Sequence, residues 1–172
     1  MDEPELLDQA SRERLTQLLA VAGSGDDAEL IGEAYLGEEG SALALGFHGH
    51  IDHVETLLDA LSPEVVFASG PRQRRAAAHA LVRITGAPRE RELPNGDKDR
   101  YDIDVDYKRW RAWWEDNRER FDPDVRYRFG EPFSLLATID ELEEDAVPHG
   151  VRRMLMLELG LNLGERPIAL HL

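Results

Sequence analysis

Apolar residues recur at intervals of three and four along most of the chain, and this spacing places them on one face of an α-helix. Between residues 6 and 19, leucines and an alanine form such a stripe, which ends at Gly23. A shorter stripe ends at Gly37, and further stripes occupy residues 41–61 and 72–85. The pattern predicts an all-α protein of about seven or eight helices.

The stripe at residues 72–85 contains three consecutive alanines, then His79 and another alanine. Small side chains allow neighbouring helices to approach closely. We therefore expect Ala77 and Ala80 to face another helix. On the same helix, we expect Arg83 to point to solvent and His79 to be a partly buried packing residue.

Residues 87–104 interrupt the helical spacing with two prolines, an Asn-Gly pair and dense mixed charge, which is typical of a loop. Helical spacing returns in a Trp-rich segment, and RYRFGEP at residues 126–132 is predicted to be extended or a turn. The last apolar stripe has Glu158 on its polar side. We expect a single domain, 1–172, comprising acidic helical repeats (1–86), the loop (87–104), and the Trp/Arg helix, RYRFGEP turn and closing helices (105–172).

Charge is spread unevenly along the chain. Residues 1–70 contain 15 Asp and Glu but only two basic residues, whereas residues 71–172 contain 20 acidic and 18 basic residues. An acidic surface repels phosphate backbones, so nucleic acid is not an expected partner. A protein with a basic surface suits it better, although the acidic exterior could also serve solubility alone. The carboxylates predicted to contact a partner are Glu33, Glu38 and Glu39.

The chain contains no cysteine, and its first residues, MDEPELLDQASRERL, lack the basic start and apolar core of a signal peptide. No apolar run approaches the roughly 18 residues that a membrane helix requires. We therefore expect a cytoplasmic protein that has no membrane segment and carries no cofactor.

Several segments resemble HEAT-type repeats, in which antiparallel helix pairs stack side by side. The turn and second helix of such a repeat are resembled by LGFHGHIDHVETLLDAL in this chain, and the first helix of the following repeat is resembled by RRAAAHALVRITG. The chain also resembles the C-terminal part of a bacterial family of HEAT-like proteins that are often encoded among type VI secretion genes. The resemblance lies in three segments and in their order along the chain: RAAAHALVRITG, WRAWWEDNRERFDPDVRYRFGEP and RRMLMLELGL. The resemblance covers about residues 42–163. It implies a short HEAT-like stack closed by a Trp-rich module, and it implies no catalytic residues.

Three histidines, His48, His50 and His53, fall within six residues. If a helix begins near His50, then His50 and His53 share a face, and His48 could reach across from the turn. Such a three-nitrogen site would suit zinc or nickel. The alternative, which we favour, is an ordinary solvent-exposed turn between two helices.

Aromatic and arginine residues are concentrated between residues 107 and 129, a mixture found at the hot spots of protein interfaces. The same residues could instead cap the open end of a helix stack. Trp110 and Trp114 share the inner face of their helix, so we expect Trp113 to stay partly exposed. The predicted partner-binding residues are Trp113, Arg109, Arg126 and Arg128.

Taken together, these features predict a non-catalytic protein-binding scaffold or adaptor. The resemblance implies an accessory role near a bacterial secretion system. Two alternatives remain open: an immunity-type protein that neutralises a basic toxin, and a metal-dependent enzyme built on the three histidines.

Overall fold

The computed structural model of the chain describes residues 8–33, 39–64, 70–87, 90–91, 102–144 and 147–164. The helices in these ranges are α1 (Gln9–Ala22), α2 (Ala28–Glu33), α3 (Glu39–His48), α4 (His53–Leu61), α5 (Pro71–Thr85), α6 (Tyr107–Asn117), α7 (Leu135–Glu143) and α8 (His149–Asn162). None of these described helices combines the length and apolar character that crossing a membrane requires. The prediction of a predominantly helical protein is confirmed.

Two short antiparallel ribbons accompany the helices. Strand β1 (Glu90–Arg91) pairs with β2 (Asp102–Ile103), and β3 (Tyr127–Arg128) pairs with β4 (Glu131–Pro132). The first ribbon lies inside the segment predicted as a loop, 87–104. The second forms a hairpin from RYRFGEP, which therefore provides both an extended segment and a turn.

Local sequence signals fix the ends of several helices. The side chain of Asp8 accepts a hydrogen bond from the backbone N–H of Ser11 at the start of α1, and Asp106 caps α6 in a similar way. Helix α5 begins at Pro71, where a missing N–H is tolerated, and is followed by Gly86 in the left-handed conformation.

Helix α3 contacts α1 on one side and α5 on the other. Its approach to α5 is close, since a Cβ atom added at Gly46 would lie 3.0 Å from the Cα of Ala80. Ala77 and Ala80 are buried, as the alanine run predicts. In contrast, His79 is exposed and Arg83 is buried, so both of those predictions are wrong. Arg83 is buried because α7 supplies a carboxylate to pair with it.

The remaining contacts bring the two ends of the described chain together. Helix α4 packs on α5 and α6, α7 packs on α8, and α8 also packs on α1. In a HEAT-type stack each repeat contacts only its neighbours in sequence. Helices α1 and α8 are far apart in the sequence, so their contact is not part of the HEAT-type arrangement that the resemblance implies.

Within the described ranges, the buried apolar side chains form two clusters. The larger cluster includes Trp110 and Trp114 of α6 with residues of α3, α4 and α5. The smaller cluster joins Phe47 of α3 to Leu155 of α8 and to α1. Trp113 is partly buried against the larger cluster, as predicted.

The hairpin of β3 and β4 docks on the C-terminal ends of α3 and α5. The backbone N–H of Tyr127 donates to the carbonyl oxygen of Gly49 at 2.8 Å, and the N–H of Phe129 donates to the carbonyl oxygen of Arg83 at 2.5 Å. Carbonyl groups in the last turn of a helix have no partner within the helix. The hairpin therefore satisfies groups at the ends of two core helices.

Replacing Gly86 with alanine is expected to destabilise the protein by about 3 kcal/mol or more. Gly86 has a φ of 64°, and a Cβ atom there would overlap the carbonyl oxygen of Phe129 in the hairpin. The matched control is Gly150→Ala in α8, because nothing lies within 4 Å of a Cβ at that position. Urea unfolding compares the two variants, and equal stabilities would contradict the prediction.

Candidate functional site

Three histidine rings converge at the turn between α3 and α4. His48 is the last residue of α3 and His53 is the first residue of α4, while Gly49, with a φ of 72°, lets the chain reverse between them. The centroid of the His48 ring lies 4.9 Å from that of His53 and 5.9 Å from that of His50. All three side chains are buried, so the prediction of a solvent-exposed turn is wrong.

The turn is buried because other segments of the chain cover it. The carbonyl oxygen of Ser24, which follows α1, lies 2.9 Å from Nε2 of His48, and Gly25 lies against the ring of His50. From the hairpin side, Nε of Arg126 donates to the carbonyl oxygen of His48 at 2.8 Å. These contacts come from distant parts of the sequence, so the local pattern around the histidines carries no sign of them.

The hydrogen bonds define the protonation of the two most buried rings. A carbonyl oxygen can only accept, so Nε2 of His48 carries the proton that it donates to Ser24. In neutral His48 the other nitrogen, Nδ1, is then an acceptor, and Nε2 of His53 donates to it at 2.8 Å. With both rings neutral, these two bonds assign the remaining proton of each ring to Nε2.

The pKa values of these rings agree with a neutral pair. Burial lowers the pKa of His48 from 6.5 to about 4 and the pKa of His53 from 6.5 to about 3, because a buried imidazolium loses its hydration. The hydrogen bond to Ser24 raises the pKa of His48 and the charge of Arg126 lowers it, but both effects are smaller than that of burial. The pair of His48 and His53 is uncharged at neutral pH.

This geometry does not fit the three-nitrogen metal site considered for the sequence. Both ring nitrogens of His48 make hydrogen bonds within the protein, one to His53 and one to the backbone of Ser24. Among the described residues, no group of three or more His, Cys, Asp or Glu side chains is arranged to hold a metal ion. In this arrangement His48 and His53 are engaged with each other and His48 with the backbone of Ser24.

A network of buried ion pairs lies next to the histidine turn. Arg83 donates two hydrogen bonds to Glu141, at 2.6 and 2.7 Å. Arg128 donates to both carboxylate oxygens of Glu158, at 2.8 and 2.9 Å, and the hydroxyl of Thr138 donates to Glu158 at 2.8 Å. All five residues are buried. The prediction that Glu158 lies on a polar helix face is wrong, because β3 and α7 enclose it.

Two phenylalanine rings and a third arginine complete the network. The guanidinium of Arg83 lies 3.7 Å from the ring centroid of Phe47, and that of Arg126 lies 4.6 Å from the centroid of Phe133. Arg126 also lies 3.6 Å from Glu158. Burial lowers the pKa of Arg83 to about 10 and also lowers the pKa of Arg126. A guanidinium stays charged at neutral pH, so three cations share two carboxylates in this network.

No protein-family model, curated protein or solved structure matches the chain. The resemblance to a HEAT-like family and its association with secretion therefore stay predictions from the sequence. The function has to be inferred from the side chains and their surroundings.

The residues predicted to form one aromatic and basic binding surface do not lie together at the surface. Arg109 is exposed on α6 and pairs with Asp104 at 3.2 Å, while Trp113 is partly buried on the same helix. Arg126 is mostly buried and Arg128 is fully buried in the ion-pair network, so neither fits the predicted surface role. The side chains of Glu33 and Glu39, and the whole of Glu38, lie outside the described residues.

Helix α7 departs in part from the usual distribution of polar and apolar residues. Its buried side chains include Thr138 and Glu141, which belong to the ion-pair network. Leu136 and Ile139 instead face solvent, with exposed fractions of 64% and 39%. Other exposed large apolar residues of the described chain are Leu15, Leu18, Leu30, Met156, Leu161 and Leu163. The sequence interpretation did not single out α7, although its mixture of polar and apolar residues is visible in the printed chain.

Proposed function

We propose that this protein is a non-catalytic protein-binding module whose partner has a basic surface. The observation that carries the proposal is the exposure of Leu136 and Ile139 on α7, a helix that buries the polar side chains of Thr138 and Glu141. Neighbouring exposed apolar side chains are typical of interaction surfaces. The buried polar groups of the histidine turn and the ion-pair network are engaged mainly with one another, which suits a structural role.

The charge of the chain supports a basic partner. The net charge is −15 at pH 7, and a strongly negative protein attracts positive surfaces and repels nucleic acid. The same proposal treats the helix pairs as a HEAT-like adaptor, accessory to a bacterial secretion system. An immunity-type protein that masks a basic toxin is a second candidate, and the negative charge favours it equally.

Affinity capture from the native host, with the purified chain as bait, tests this function. We expect one basic protein in stoichiometric amount at low salt and a reduced yield at moderate salt, because surface charges are screened over about 8 Å at physiological ionic strength. A folded protein of the same size and net charge serves as the control bait. Recovery of no specific protein at either salt, or of the same proteins by the control bait, would reject the proposal.

A further inference from the structure

Four residues of α7 define a continuous outer face: Leu136, Ile139, Asp140 and Glu143. They follow one another at three- and four-residue intervals, so they lie on one side of the helix, and all four are exposed. Single exposed leucines are common on protein surfaces. Leu136 and Ile139, however, lie one turn apart on a helix that buries the polar Thr138, so together they form a small apolar surface.

The pairing of α7 with α8 places more apolar residues at the same end of this helix pair. Thr138 bonds to Glu158, and Arg152 donates to the carbonyl oxygen of Leu142 at 3.2 Å. These two contacts show that the helices run antiparallel, so Leu136 is level with the last turn of α8. Two exposed leucines, Leu161 and Leu163, lie in and just after that turn. Leu136 of α7 thus lies at the same end of the pair as Leu161 and Leu163, while Ile139 and the exposed Met156 lie nearer its middle.

Carboxylates border this apolar surface. Asp140 and Glu143 belong to the outer face itself, and both are exposed. Within the described part of the chain, neither of these two carboxylates forms a salt bridge. A ligand that fits this surface therefore needs apolar groups for the centre and positive charges for the border.

From this arrangement we infer that the outer face of α7 binds a basic amphipathic helix of the partner protein. Leucine-like residues of that helix cover Leu136 and Ile139, while its lysines and arginines pair with Asp140 and Glu143, as in other complexes in which a helix lies in an apolar groove. The inference rests on the proposed binding function and adds the surface and the chemistry of the partner.

The charges on the outer face of α7 also favour a basic helix over two other binding partners, a second copy of the chain and an anionic membrane. A second copy of the chain, docked face to face, would bring the unpaired carboxylates Asp140 and Glu143 of both copies together, and like charges oppose such a contact. An anionic membrane surface would be repelled for the same reason. A basic helix alone satisfies both the apolar centre and the acidic border.

A synthetic peptide tests the inference directly. The probe is a fluorescently labelled helical peptide with leucines along one face and lysines on the other, titrated with the whole chain and followed by anisotropy. We expect Leu136→Glu to weaken binding by about tenfold or more, and Asp140→Asn with Glu143→Gln to weaken it and reduce its salt dependence. The matched control is Leu15→Glu on α1, where the leucine is 47% exposed, and this variant should bind the peptide normally.

Three outcomes would overturn the inference: equal loss in Leu15→Glu, equal binding of a scrambled peptide of the same composition, or dimers in sedimentation that Leu136→Glu dissociates. Circular dichroism and the melting temperature confirm that each variant is folded, which is expected because the changed residues are exposed. If Leu136→Glu used as bait still captures the host partner, the binding function stands and this surface is wrong. If the unchanged chain captures no partner and binds no peptide, both proposals fail.

Discussion

Replacing Glu158 with glutamine is expected to lower the free energy of unfolding by about 3–5 kcal/mol. Glu158 is fully buried, and its carboxylate accepts hydrogen bonds from Arg128 and Thr138 and lies 3.6 Å from Arg126. Without its charge, the buried Arg83 and Arg128 share only the carboxylate of Glu141, and the mostly buried Arg126 loses its carboxylate partner. Buried cations that lose their partner are strongly destabilising, because neither water nor an anion compensates them.

Urea unfolding at neutral pH measures this effect. The matched control is Glu143→Gln on the exposed side of α7, which should change stability by less than about 0.5 kcal/mol. Replacing Arg128 and Glu158 together with methionine should recover part of the loss, because an apolar pair leaves fewer unmatched charges. A Glu158→Gln variant as stable as the control would show that the network contributes little.

Acidification from pH 7 to pH 5 is expected to destabilise the protein by about 2 kcal/mol for each of His48 and His53. The pKa values of these rings in the folded protein, about 4 and about 3, lie below the ordinary value of 6.5. As the pH falls below 6.5, the unfolded chain takes up protons that the folded protein does not bind. Stability is therefore present above this pH and decreases as the pH falls towards the folded pKa values.

Urea unfolding at several pH values between 7 and 5 tests this, because most carboxylates titrate below this window. His53→Gln keeps a donor near Nδ1 of His48 but cannot become charged, so it should remove about half of the pH dependence. His149→Gln, at an exposed position at the start of α8, should leave the dependence unchanged. If the free energy of unfolding depends on pH equally in the unchanged protein and in both variants, the pH dependence does not come from His48 and His53.

The helical faces could be predicted because they depend on residues close together in the sequence. Ala77 and Ala80 are buried, Ala80 against Gly46 of α3, and Trp110 and Trp114 are buried while Trp113 is only partly so. In each case the three- and four-residue spacing alone indicates the inner face. The protein-binding role, the HEAT-like family and the cytoplasmic location stay predictions, since no comparison tests them.

The buried charges could not be predicted, because their partners lie far away in the sequence. Arg83 is buried by Glu141, 58 residues later, and Glu158 is buried by Arg128, 30 residues earlier. The alternation of polar and apolar residues in the hairpin did not indicate this burial either, since both Tyr127 and Arg128 of β3 are buried. A rule that places charged side chains in water fails wherever folding brings opposite charges together.

The ion pairs beneath α7 affect how much conformational entropy binding at this helix would cost. Glu141, which bonds to Arg83, holds the inner side of this helix at a fixed position in the core, and Thr138, which bonds to Glu158, does so one turn earlier. The partner helix proposed above would therefore meet a fixed surface, and little conformational entropy would be lost on this side of the complex. The entropy lost on association then falls mainly on the incoming segment, so differences in affinity between partners should reflect how readily each one forms its own helix.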